Sequence, residues 1–230
     1  MASVEGLKEG MARNGITHSV ALPIEPYGPA RELLSLVKEE EGLIPFASVD
    51  PSDPGMAGKL RDCVEAGCRG IKLHPIIQDF HPSGTSCMET VEEFSQYELP
   101  VFFHSGVTAY YLAESESEKY GDPVNYVKTL ESFPKVKFVL GHMAMFQAAQ
   151  AIDIAEKYNN VYFDTSFQPL RMISRALDRI GEGRVMFGTD WPFGRQHIAF
   201  GLIMKLTEGN RELRDRLFWK NAESLIGEVG

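Results

Sequence analysis

The feature that most constrains the fold is a recurrence of short apolar runs, most of them with polar residues at or near the end. Seven occur: 18–24 (HSVALPI), 43–50 (LIPFASVD), 70–75 (GIKLHP), 100–106 (PVFFHSG), 137–144 (KFVLGHMA), 161–166 (VYFDTS) and 184–190 (RVMFGTD). Their starts recur every 23 to 37 residues, room for one strand and one helix each. Most interiors are continuously apolar, as in Phe138-Val139-Leu140, which is what a parallel sheet covered by helices requires.

The intervening segments carry helical patterns. Residues 30–41 place Leu33, Leu34 and Val37 on one face, and 57–66 place Leu60 and Val64 four apart before Gly67, a suitable C-cap. Segment 123–133 follows Asp122, a good N-cap, with proline at its first position. Further helices are expected over 3–14, 146–158, 170–180, 197–208 and 211–226. The repeating unit predicts an α/β fold of TIM (β/α)8 type, with a doubly wound open sheet as the competing topology. With no linker or low-complexity stretch, residues 1–230 read as one domain.

An eight-unit barrel typically takes about 250 residues. This chain has 230, opens on a helical segment and shows seven strands, so the expectation is a barrel lacking its first strand. The strands flanking that position would keep free edges, which predicts self-association and a homo-oligomer. Lys and Arg total 23 against 32 Asp and Glu, a formal charge of −9 that argues against a nucleic-acid partner. No apolar run approaches the roughly 20 residues of a membrane span. Cys63, Cys68 and Cys87 form no CxxC pair and no hydrophobic signal core opens the chain, so a reducing, cytoplasmic setting is expected.

Functional groups of such barrels gather at the C-terminal strand ends. Here those ends carry Asp50, His74, His104, His142, Asp164 and Asp190. Neutral imidazoles and carboxylates on one rim suit a borderline divalent metal, zinc first, with manganese or iron as alternatives.

The strings PVFFHSG, VLGHMA and MFGTDWPFG, in this order and spacing, resemble the amidohydrolase-related family of metal-dependent barrels, which includes aminocarboxymuconate semialdehyde decarboxylase. GIKLHP, YGDP, VYFDTS and KNAESLIG match the family's wording too, so the likeness runs from about residue 5 to residue 226. The resemblance implies that His104 and Asp190 ligate the metal. It makes His142 a further ligand, or the group that activates water or substrate, and Asp190 the mover of the proton. The family's His-x-His pair, which closes its first strand, has no counterpart here.

Lys72 and His74 alternate along one strand and so point the same way, into the barrel mouth. His74 there would contact the substrate, and Lys72 would bind a substrate carboxylate, carry a carbamate, or pair with an acid such as Asp50. Trp191 would wall the pocket with Phe193 packed beneath it, and Arg195 would meet an anionic substrate. Asp164, Thr165 and Ser166 would hydrogen-bond substrate or cap the next helix. His81 and segment 114–119 read as solvated, Met143 and Met145 as packing. Tyr110 and Tyr111 lie in a long segment suited to a lid. The function expected is hydrolysis of a C–N or C–O bond in a small carboxylated substrate by metal-activated water. The alternatives are a non-oxidative decarboxylase on the same scaffold, a barrel that only binds a ligand or partner, and a Schiff-base lyase using Lys72.

Overall fold

All seven predicted runs form strands in the computed structural model, which describes residues 3–27, 34–35, 37, 40–107 and 116–228. They are β1 Ser19–Ala21, β2 Leu43–Pro45, β3 Ile71–Leu73, β4 Val101–Phe103, β5 Phe138–Leu140, β6 Val161–Asp164 and β7 Val185–Met186. Every pairing is parallel, and the strands follow one another in chain order, β1-β2 and β3-β4-β5-β6-β7. A bridge between Ala47 and Ile71 joins the two sheets. A doubly wound sheet would reverse its order at a switch point. This one never does, so the wall is that of a barrel.

The strands are shorter than the apolar runs because the ends of the runs leave the sheet, and those after β3 to β7 enter the site. Alternation then sorts side chains onto two faces. Ile71, Leu73, Val101, Phe103, Phe138 and Leu140 pack outward into the core beneath the helices. Ile44, Val139 and Met186 pack inward with Phe102 and Tyr162, and Leu225 and Ile226 of the last helix plug that interior.

Around the wall lie α1 Val4–Asn14, α2 Met56–Glu65, α3 Thr85–Ser95, α4 Val127–Ser132, α5 Ala148–Lys157, α6 Leu170–Ile180, α7 Gln196–Leu206, α8 Arg211–Asp215 and α9 Asn221–Ile226. The Ser3 hydroxyl caps α1, and Gly15 closes it with φ of 66°. A 3-10 turn, capped by Asp122, leads into α4. Helix α3 is absent from the sequence expectation, because its N-cap is Gly84 and no side chain caps its start. The helix expected over 211–226 is continuous, with a π-turn at Arg216–Lys220 between α8 and α9. Leu34 and Val37 are buried, whereas Leu33, Tyr110, Tyr111 and residues 114–115 lie outside the described residues.

Among the described residues no strand joins β7 to β1. The expectation of two bare edges holds only for β1, where Val20 is 36% exposed. The β7 side is covered instead. Phe187 N–H donates to the Leu217 carbonyl at 2.7 Å, and Asn221 Nδ2 donates to the Val185 carbonyl at 2.6 Å. No described helix is long and apolar enough to cross a membrane.

Candidate active site

The two-residue period of the strands carries inward positions on into the rim. Lys72 leads to His74 and Phe102 to His104, and all four face one cavity of about 2070 Å³. His142, Asp164, Asp190 and Trp191 line it as well. The sequence-predicted residues are therefore brought together, with exceptions. Asp50 is exposed and accepts the Ser52 N–H at 2.8 Å, so it is no partner for Lys72. Arg195 is exposed at the N-cap of α7 and lines a separate small pocket, which removes it from the cavity. Phe193 is 80% exposed rather than packed under Trp191. The Trp191 ring instead backs onto α1, where a Cβ added at Gly6 would stand 3.4 Å from it.

Three imidazoles form one buried cluster. The His74 and His104 rings stack at 3.9 Å with an interplanar angle of 7°, and His142 meets His104 edge-on at 5.0 Å. Burial pushes His74 and His104 well below the ordinary histidine range and lowers His142, so all three favour the neutral form. The tautomer of His74 follows from its contacts: Nδ1 accepts the Ile77 N–H at 3.2 Å. His104 Nε2 is buried and has no hydrogen-bond partner. Tyr126 steadies that strand end by donating to the His104 carbonyl at 2.6 Å.

His142 is out of phase with inward-facing Val139. A left-handed turn brings its ring to the cavity: His142, Met143, Ala144 and Met145 have φ of 57°, 50°, 57° and 51°. Such a run of non-glycine residues persists only when its surroundings hold it. Here the holders are Asp164 and Gln168. Asp164 Oδ2 accepts the His142 backbone N–H at 2.7 Å, and Gln168 Nε2 donates to the carbonyls of His142 (2.6 Å) and Met145 (3.0 Å). Asp164 thus neither caps α6, whose N-cap is Pro169, nor is left free for substrate. Glycine at 188 makes room for its carboxylate, since a Cβ there would lie 2.5 Å from Oδ1. Gln168 is absent from the sequence expectation. The signal available was the polar alternation Asp164, Ser166, Gln168, which continues β6 on one side.

Lys72 is buried, and its Nζ lies 4.4 Å from the centre of the Phe102 ring. Among the described residues it makes no salt bridge; Asp190 and Asp164 act on it only through space. Burial depresses its ammonium to about 8. Burial also raises Asp190, against the opposing pull of His142 and Lys72.

The donors expected for a divalent metal, His104, His142 and Asp190, all line the cavity, and His104 Nε2 has no hydrogen-bond partner. A tightly held ion needs at least three protein ligands. Among the described residues no group of three or more histidine, cysteine or acidic side chains stands close enough to supply them. The donors present do not fit a complete metal site.

Comparison with known proteins agrees with the barrel. A family model described as amidohydrolase matches residues 1–227. Among curated proteins no relative matches the sequence. Solved structures match over nearly the whole chain. A TIM-barrel protein from Bordetella bronchiseptica aligns with a TM-score of 0.82 and 17% identity, over 97% of this chain and 82% of that one. A dihydroxybenzoic acid decarboxylase from Polaromonas, holding manganese and 2-nitroresorcinol, aligns with a TM-score of 0.76 and 18% identity over 98% and 86%. An amidohydrolase from Burkholderia multivorans aligns with a TM-score of 0.74 and 14% identity over 99% and 89%.

Proposed function

Because this chain belongs to the amidohydrolase family, we propose that it hydrolyses a C–N or C–O bond in a small, carboxylated substrate bound at the barrel mouth. The observation that carries this reading is Lys72, a buried cation in a cavity with no salt-bridge partner among the described residues. A charge so placed is costly unless an anion joins it, and a substrate carboxylate is the natural one.

In this reading the carboxylate sits on Lys72, and the neutral His142 takes a proton from the attacking water. Asp190, whose proton affinity burial raises, relays that proton from His142 to the leaving nitrogen or oxygen, so both groups end as they began. General base and general acid drawn from one desolvated cavity suit acyl transfer to water. Trp191 bounds the substrate on the α1 side, and His74 keeps the His104 ring in place by stacking. A divalent ion, if gained through further donors, would add Lewis acidity beside His104 and Asp190.

A second reading, non-oxidative decarboxylation, is favoured by the Polaromonas decarboxylase among the similar structures. The fold hosts both reactions and does not choose between them. Incubation with a panel of small carboxylated amides, esters, lactones and hydroxybenzoates, followed by mass spectrometry, separates the two. Hydrolysis gives products that together are one water heavier than substrate; decarboxylation gives a product one carbon dioxide lighter. No turnover across the panel, with ligand binding retained, would reduce the chain to a binding barrel. The exposed β1 edge further leads us to propose homo-oligomerisation. A single monomeric species in sedimentation would contradict it.

A further inference from the structure

Ser166 is 1% exposed and stands between two groups of the site. Its Oγ lies 2.7 Å from His142 Nδ1 on one side and in short contact with Asp164 Oδ1 on the other. Asp164 is fully engaged as an acceptor. Oδ1 takes the Ser166 backbone N–H at 2.9 Å as well as the hydroxyl, and Oδ2 takes the His142 backbone N–H. A carboxylate only accepts, so the one hydroxyl hydrogen of Ser166 points at Asp164. The serine oxygen then has only a lone pair to offer the ring, and the hydrogen of that contact must come from Nδ1.

We infer that Ser166 is a positioning residue that sets the tautomer of His142, holding the hydrogen on Nδ1 and leaving Nε2 bare toward the cavity. Asp164 therefore acts twice on one histidine, through the backbone of the left-handed turn and through the serine on the ring. The ring's bond to Ser166 is made at Nδ1, and His142 lines the cavity with Asp190 and Lys72. A base that must take a proton from a cavity-bound molecule needs its lone pair on that side. Were Ser166 absent, the ring would exchange between tautomers, and part of the population would present an N–H where a lone pair is needed.

This inference deepens the reading of His142 as the proton acceptor, yet its test reads only where a hydrogen sits in the resting protein. Nitrogen-15 NMR of the histidine-labelled chain, with the His142 signals identified by their loss in His142→Gln, reports the tautomer directly. The wild-type chain is expected to show a protonated Nδ1 and a bare Nε2. Ser166→Ala should collapse the separation between the two nitrogen shifts toward an averaged value. Ser166→Thr, which restores the hydroxyl, should recover it while Ser166→Ala remains folded by circular dichroism. A wild-type ring protonated on Nε2 would overturn the inference, as would a Ser166→Ala ring that keeps the wild-type pattern. Should the Nδ1–H pattern hold while His142→Gln retains full turnover, the proposed reaction fails and the tautomer assignment stands.

Discussion

Gln168 holds His142 from behind: its Nε2 donates at 2.6 Å to the His142 carbonyl and reaches the Met145 carbonyl as well, bracing a turn of four left-handed residues. Both bonds are side chain to backbone, so an alanine at 168 strips two carbonyls of their partner in a buried setting. Gln168→Ala is expected to cost about 1–3 kcal/mol, read from the urea midpoint, and to raise amide exchange across residues 142–145. A change within roughly 0.5 kcal/mol, the range of ordinary surface substitutions, would show that the turn holds itself.

Lys72 predicts opposite effects on stability and on binding. Its ammonium is depressed to about 8 from an ordinary 10.5, chiefly by burial. Between those values the unfolded chain binds more protons than the folded one, so stability rises with pH across that window. The cost of burying the charge is present in full below pH 8. Lys72→Met removes it and is expected to stabilise the fold at pH 7 by about 1–3 kcal/mol in thermal or urea denaturation. The same change should abolish carboxylate binding. Destabilisation with binding intact would contradict the anchor role.

The pH dependence of binding follows from the same group. A carboxylate needs the protonated amine, so affinity should be highest below pH 8 and fall above it, by about tenfold per unit well above 8. Calorimetric titration with a small carboxylate between pH 6.5 and 9.5 checks this. A flat profile in the wild-type chain would place the anion elsewhere.

Gly188 is the position where backbone space serves the site. A Cβ would fall 2.5 Å from Asp164 Oδ1 and 3.0 Å from its Cγ. Gly188→Ala should therefore displace the carboxylate that holds both Ser166 and the His142 turn. The expected cost is about 1–3 kcal/mol from overpacking, with turnover lost beyond what stability explains. Unchanged turnover would show that the carboxylate has room to move.

With no three donors drawn close enough together among the described residues, a divalent ion should be held loosely. Dialysed protein is expected to carry well under one zinc, manganese or iron per chain, and His104→Ala should remove what zinc binding remains in titration. A full equivalent surviving dialysis would mean that further donors complete the site.

Much of this was legible in the sequence, for physical reasons that also mark where the reading stopped. The seven strands were visible because a parallel sheet under helices demands continuous apolar runs, as at Phe138-Val139-Leu140. Lys72, His74 and His104 were placed in the cavity by two-residue alternation alone. The left-handed turn at His142 was not legible, because nothing in Gly-His-Met-Ala-Met marks four consecutive positive φ values outside glycine. Asp164 and Ser166 read as helix caps or substrate contacts because a sequence shows types, not partners. Their partner, His142, lies 22 to 24 residues away. Arg195 was assigned by charge and proximity to Asp190, and the turn after β7 carries it out to the surface.

His142, as proposed, moves the proton in a hydrolysis at this cavity. The most direct measurement is the steady-state rate of His142→Gln against the wild-type chain, on whichever carboxylated amide, ester or lactone the mass-spectrometric panel identifies. The expected result is a fall in kcat of about 10²–10⁴-fold, the usual share of general acid–base catalysis, with substrate binding through Lys72 retained. A kcat within a few-fold of wild type would contradict it.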